Sequence, residues 1–152
     1  MAGIRMIVFN NEEHGRAIAK AAGCNFNPEC DRSISRVSDE DGELLGGVIY
    51  QSFTGESIAM HVAGFDDRWI NRDLVWVCFH YPFVQLGVKR IFGQVPESNK
   101  QALEFDLRLG FRFLVKVDGV FRDGGVIVLV LERDDCQWLN YKPRRLKPGQ
   151  EI

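Results

Sequence analysis

The chain has 152 residues, enough for one domain with a sizeable core, and its 45% hydrophobic and 26% charged residues are ordinary for a folded protein. Nineteen Lys and Arg against 21 Asp and Glu leave a formal net charge of -2, which gives no long-range attraction to nucleic acid or an anionic membrane. No apolar run reaches the length of a membrane span, and no basic segment leads into a long apolar one, so a cytoplasmic protein with reduced thiols is expected.

Ile4 to Phe9 reads as a short first strand. Asn10 or Asn11 offers a cap for a helix through about Ala22, closed by Gly23. Residues 25–32 carry Asn, Pro and Asp and read as a loop. Ser33 to Ser38 is a strand, the turn Asp39-Glu40-Asp41-Gly42 follows, and Leu44 to Phe53 is the next strand. After the turn Thr54-Gly55-Glu56, Ser57 to Ala63 sets Ile58, Met60 and Val62 against Ser57, Ala59 and His61, which completes an antiparallel meander.

Beyond Gly64 the period becomes helical. Leu74, Val75, Cys78, Phe79 and Val84 predict a buried helix from Asn71 or Asp73 to Gln85, with a kink or break near Tyr81 because Pro82 lies inside the pattern. Val88 to Val95 returns to strand character. Ser98 or Asn99 then caps a helix ending at Gly110. Phe111 to Val117 alternates as a strand, Asp118-Gly119 and the run Arg122 to Gly125 are hairpin-type turns, and Val126 to Glu132 is the last strand. Residues 136–152 read as a C-terminal tail, anchored by Trp138 and Tyr141, with a solvated basic run from Lys142 to Lys147. The order predicts a single α/β unit over 1–152, a mixed α+β sheet with helices packed on it. Phe26, Trp76, Phe79, Phe105, Phe111 and Phe113 are assigned to the core or its border.

Cys24, Cys30, Cys78 and Cys136 form no Cys-x-x-Cys pair, and His14, His61 and His80 make no ligand pattern with them, so no metal is expected. Cys78 reads as a small buried hydrophobe, whereas Cys24 and Cys30 flank a polar loop.

The stretch from Val95 to Phe111 resembles the GCN5-related N-acetyltransferase (GNAT) superfamily, in which an Asn is followed three residues later by a small residue and then by a helix ending in Leu-Gly-Phe. Asn99, Ala102 and Leu109-Gly110-Phe111 keep that register. The element order from Ser33 to Leu131 also suits the family, with the compact phage- and prophage-encoded members the nearest in character. The resemblance implies a mostly antiparallel sheet in which two parallel strands, Ser57 to Ala63 and Val88 to Val95, splay apart at their C-terminal ends. It also implies acetyl-CoA as cofactor, its pantetheine along Met60, His61, Val62 and Ala63 and its phosphates along Phe65 to Arg72, at the electropositive start of a helix. Arg68, Trp69, Asn71, Arg72 and Asn99 complete the implied cofactor set.

Two departures from the family pattern stand out. Asn71 and Asp73 occupy places where members commonly carry small residues, and an Asp there repels phosphate unless Arg68 and Arg72 compensate. Asp106 stands where members carry the tyrosine that protonates the leaving thiolate, and an ordinary Asp is ionised at neutral pH unless strongly desolvated. His61, on the strand lining the implied cleft, is the candidate base; its alternative is a satisfied structural histidine, as a helix cap is for Asn99. The function implied is transfer of an acetyl group to a small-molecule or peptide amine. The alternative is a weak or inactive GNAT-like protein that binds CoA or a protein partner. A nucleic-acid-binding module is disfavoured by the charge and by the lack of an aromatic-basic pattern. Homodimerisation is compatible with the need to cover the sheet edges.

Overall fold

The computed structural model describes residues 7–141 and 143. The basic run at 142–147, Pro143 apart, and residues 4–6 of the first predicted strand lie outside them.

Among the described residues seven strands form one sheet: β1 (Ile7–Phe9), β2 (Arg32–Val37), β3 (Leu44–Gln51), β4 (Ser57–Gly64), β5 (Arg90–Pro96), β6 (Arg112–Phe121) and β7 (Gly124–Glu132). Their order across the sheet is β1-β2-β3-β4-β5-β7-β6. All neighbours are antiparallel except β4 and β5. The predicted meander is present as β2-β3-β4.

Strand alternation sends the two faces of β4 to different layers. Ile58 and Met60 join Leu74, Val77 and Phe79 in the main core, on the side covered by α2 (Arg72–His80) and α3 (Lys100–Leu109). On the other side α1 (Glu12–Ala22) buries Ile18 and Ala19 against Ile49, which pairs with His61. Asn11 caps α1 by accepting from the His14 amide at 2.9 Å, and Gly23 closes it in the left-handed region at φ 81°.

The predicted break near Tyr81 is a change of winding. Helix α2 passes at His80 into a π turn, Tyr81–Gln85, in which the Leu86 amide reaches the Tyr81 carbonyl at 3.0 Å. Pro82 cannot donate to the Cys78 carbonyl four residues back, and the buried Tyr50 hydroxyl donates to that carbonyl instead. One proline and one tyrosine thus fix how the helix ends against β3.

Two expectations are corrected. Asp118-Gly119 is not a hairpin turn: β6 runs on to Phe121, pairing shifts between Val117 and Phe121, and the reversal falls at Arg122-Asp123. The Asp-Gly signal is expressed as a left-handed Gly119, φ 71°, inside a bulged stretch of β6, and the chain reverses only after Phe121. Phe113 is not a core residue but 56% exposed, because all of β6 lies on the open edge of the sheet. The C-terminal segment is anchored through the Trp138 indole, which donates to the Leu109 carbonyl at 2.7 Å. Tyr141 is exposed and stacks loosely beside Trp138.

Candidate functional site

The two parallel strands share only four residue pairs. Ser57 faces Arg90, Ile58 faces Ile91, Ala59 faces Phe92, and Met60 faces Gly93. Beyond Met60 and Gly93 they part company. β4 stays laddered to β3 as far as Gly64 opposite Gly46, and β5 stays laddered to β7 as far as Pro96 opposite Val126. Beyond that point the facing edges of the two strands make no ladder with each other, and the backbone of each borders the gap.

A narrow cleft occupies that gap. Met60, His61 and Val62 form one wall and Gln94, Val95 and Pro96 the other. Asn99, Ala102 and Asp106 of α3 close it on one face, and Ala22 reaches it from the end of α1. Five of the residues singled out from the sequence, Met60, His61, Val62, Asn99 and Asp106, therefore meet in one place.

Asp106 is the most unusual of them. It is only 4% exposed, and its Oδ1 has no hydrogen-bond partner. Desolvation raises its pKa to about 7, so near neutrality much of it holds a proton. A β-carbon built on Gly93 would stand 3.1 Å from Oδ2. A side chain at Gly93 would therefore crowd the carboxyl.

His61 is also buried, and desolvation lowers its pKa. Two smaller influences oppose that shift: the Asp31 carboxylate and a backbone hydrogen bond with Gln94 across the gap. Asp31 is held in place by the Asn27 amide and the Gln51 side-chain amide, each donating to its Oδ2 at 2.8 Å. The two titratable groups of the cleft are therefore a histidine biased toward neutrality and a carboxyl biased toward its acid form.

The other candidates lie toward the start of α2. Asn71 caps that helix, accepting from the Leu74 amide at 2.8 Å. Arg68 is exposed and clasps Asp66 with contacts of 2.9 and 3.1 Å, which holds the Asp66 carboxyl at about 2. Arg72 reaches over the Tyr141 ring, 5.9 Å from its centroid. Trp69 lies across Gly46 and Gly64, where β-carbons would collide with its indole, and its ring meets Phe105 of α3 at 5.3 Å. These two rings border a small apolar hollow that shares Met60 and Val62 with the cleft. Asn99 caps α3, accepting from the Ala102 amide at 3.2 Å.

Three contributors were not singled out as site residues in the sequence. Gly93 and Gln94 carry no motif, although a glycine inside a strand signals close approach by another group. Arg36, a buried residue of β2, lies near enough to Asp73 to interact with it electrostatically, so the acidic residue at the start of α2 faces a buried cation. Only the folded sheet brings that pair together.

Among the described residues no cluster of His, Cys, Asp and Glu could hold a metal ion, and no helix is long and apolar enough to cross a membrane. All four cysteines are free thiols, and burial pushes Cys78 up to about 12.

No protein-family model matches the chain, and no curated protein matches it in sequence. Solved structures do match in shape. A spermidine N-acetyltransferase from Vibrio cholerae superposes with a TM-score of 0.60 at 19% identity, over 73% of this chain and 69% of that one. The Campylobacter jejuni N-acetyltransferase PseH in complex with acetyl coenzyme A gives 0.52 at 17% identity, over 68% of both chains. A GNAT-family acetyltransferase from Bacillus anthracis gives 0.56 at 10% identity, over 82% of this chain and 87% of that one. At these identities the likeness is one of architecture: the chain has the mixed α/β fold of the GNAT acetyltransferases.

Proposed function

We propose that the protein is an N-acetyltransferase that moves an acetyl group from acetyl-CoA directly to an amine. One observation carries the reading: pairing between β4 and β5 stops at Met60 and Gly93, and the resulting gap receives a protonatable carboxyl.

The residues present fit the cofactor. The inward backbone groups of Met60 to Ala63 suit an extended amide-bearing arm, which would pair with them as a further strand does. Asn99 stands at the cleft mouth. At the start of α2, uncompensated backbone amides and Arg72 suit phosphate, and Arg36 offsets the repulsion from Asp73. Acetyl-CoA would supply the acyl group as a thioester. His61, neutral at pH 7, takes the proton that the attacking amine sheds, directly or through water, as the new C–N bond forms and the C–S bond breaks. Asp106 gives its proton to the departing sulfur, in the place of the family's tyrosine. One proton is taken up and one released, and the environments of the two groups set those roles. The acceptor amine is a small molecule or a peptide; the resemblance to phage-encoded members rests on the sequence alone.

A second reading is a protein that binds CoA with little turnover. The Arg68–Asp66 clasp and the Trp69–Phe105 contact favour it, since both engage groups that would otherwise attend the cofactor. Titration calorimetry with CoA, followed by thiol release from acetyl-CoA across a panel of amines, separates the two. The enzyme binds CoA and releases thiol with at least one amine; a non-catalytic protein binds CoA and releases none. No CoA binding at about 1 mM, an affinity worth only about 4 kcal/mol, overturns both.

A further inference from the structure

We propose that Asp31 is a positioning residue for His61: its buried carboxylate, clamped on the α1 face of the sheet by Gln51, stabilises the ring once it has taken up the proton of the attacking amine. The inference rests on the transferase reading and adds to it a residue that does not itself line the cleft.

The strand register puts the two groups on one face. Ser33, Ile49 and His61 lie side by side across β2, β3 and β4, and Gln51 and Ala59 form the neighbouring rung of β3 and β4. Side chains two apart on a strand share a face, so Gln51 is a diagonal neighbour of His61, a spacing of about 7–8 Å that a long side chain spans. Asp31 immediately precedes β2, and its Oδ2 accepts from the Gln51 side-chain amide and from the Asn27 backbone amide, each at 2.8 Å. Gln51 also donates to the Asn25 carbonyl, which pins the loop from Asn25 to Asp31 against the end of β3. The neighbouring Arg32 donates to the Asp31 backbone carbonyl at 3.0 Å. Asp31 is only 9% exposed, and both donors to Oδ2 are neutral amides. A buried negative charge so placed favours a positive charge within its reach.

That reach includes His61. Burial lowers the pKa of the histidine, and Asp31 is the charged side chain that opposes the shift, alongside the hydrogen bond with the Gln94 backbone. Asp31 also adds to burial in raising Cys24 to about 11, so its field covers the space between the end of α1 and β4. Among the described residues little else there carries charge. The buried residues of α1 are Gly15, Ile18, Ala19 and Ala22. Cys24 stays a neutral thiol, and β3 offers Ile49 and Gln51. Asp106, on the α3 side of the cleft, is mostly uncharged below pH 7. When the attacking amine passes its proton to His61, a cation forms in a buried place, and Asp31 lowers the cost of that step.

An NMR titration of the imidazole signals of the full chain tests the pair without any need for turnover. In Asp31→Asn the side-chain oxygen still accepts from Gln51 and Asn27, so the clamp survives and only the charge goes. The His61 midpoint should move to lower pH, whereas His14, bonded to Ser35 at 2.8 Å, should stay where it is. Thiol release should show the same displacement of its acid limb, with kcat lowered about two- to tenfold by the weaker base and the KM for acetyl-CoA unchanged. Asp31→Ser removes the charge with a smaller side chain and repeats the measurement if the asparagine variant does not fold. An unmoved His61 midpoint in a folded variant overturns the proposal and leaves Asp31 as a loop anchor. So does a lowered midpoint with kcat unchanged, since the charge would then be felt but not used. No thiol release by the parent chain with any amine fails the transferase reading instead, and this inference falls with it.

Discussion

Asp106 and Gly93 meet at the apex of the β4–β5 gap, with the carboxylate Oδ2 3.1 Å from where a β-carbon on the glycine would stand. Gly93 is the last residue of β5 to pair with β4. A buried carboxyl thus sits where the sheet begins to open, and its protonation follows from how little water reaches it.

The first consequence is a bell-shaped rate profile. In the proposed mechanism acetyl transfer needs His61 neutral and Asp106 protonated. Burial holds the His61 pKa below its ordinary value and raises that of Asp106 to about 7, so acetyl transfer should peak between the two and decline on either side. Asp106→Asn should remove the alkaline limb and lower kcat about 10- to 100-fold, less than a typical general-acid loss because a CoA thiolate can depart unaided. Steady-state thiol release from pH 5 to 9 reads both effects. An alkaline limb that survives in the variant excludes Asp106 as its origin.

Stability carries the same signature with a definite sign. Asp106 binds its proton more tightly in the folded chain than in the unfolded one, so between pH 4 and 7 the folded state holds the extra proton. Stability therefore falls as pH rises through that window. Above it the cost is complete, on the order of 2–4 kcal/mol. The uncharged Asp106→Asn should be more stable than the parent at pH 8 and about equal to it at pH 4. Urea unfolding at the two pH values measures this; equal gains at both would mean that Asp106 is not held protonated.

Gly93→Ala places a methyl group against that carboxyl. The aspartate must give way by a few tenths of an ångström, at a cost of about 1–2 kcal/mol. The expected result is a modest loss of stability together with a displaced alkaline limb. A variant with reduced stability and an unmoved pH profile would show that the contact is only steric.

Asn99 separates capping from binding. Loss of its cap on α3 should cost about 1 kcal/mol in Asn99→Ala, and Asn99→Ser should restore most of it. CoA affinity should fall in both variants, since serine caps the helix without reaching as far into the cleft. Unchanged affinity in the serine variant would leave Asn99 as a cap alone.

Much of the fold was legible because local signals agreed with tertiary ones. Asn11 and Asn99 begin helices, Gly23 and Gly110 end them, and Pro82 marks the change of winding. The register of Asn99, Ala102 and Leu109-Gly110-Phe111 located α3 against the cleft. Legibility failed where distant packing decides. Asp118-Gly119 spells a turn, yet it forms an irregularity within β6, with Gly119 left-handed at φ 71° and pairing resumed at Phe121 opposite Gly124. The acidity of Asp106 depends on desolvation by residues far apart in sequence, and so could be posed from the chain only as a condition. The nearness of Arg36 to Asp73 likewise exists only once β2 lies beside the start of α2.

The brevity of the β4–β5 seam has a mechanical consequence. Strands β1 to β4 form one leaf of the sheet and β5, β7 and β6 the other, and within the sheet they are stitched together by four residue pairs at one end. Whatever lodges between the tines of that fork touches both leaves beyond the stitching, and so binds them into a single stiffer plate.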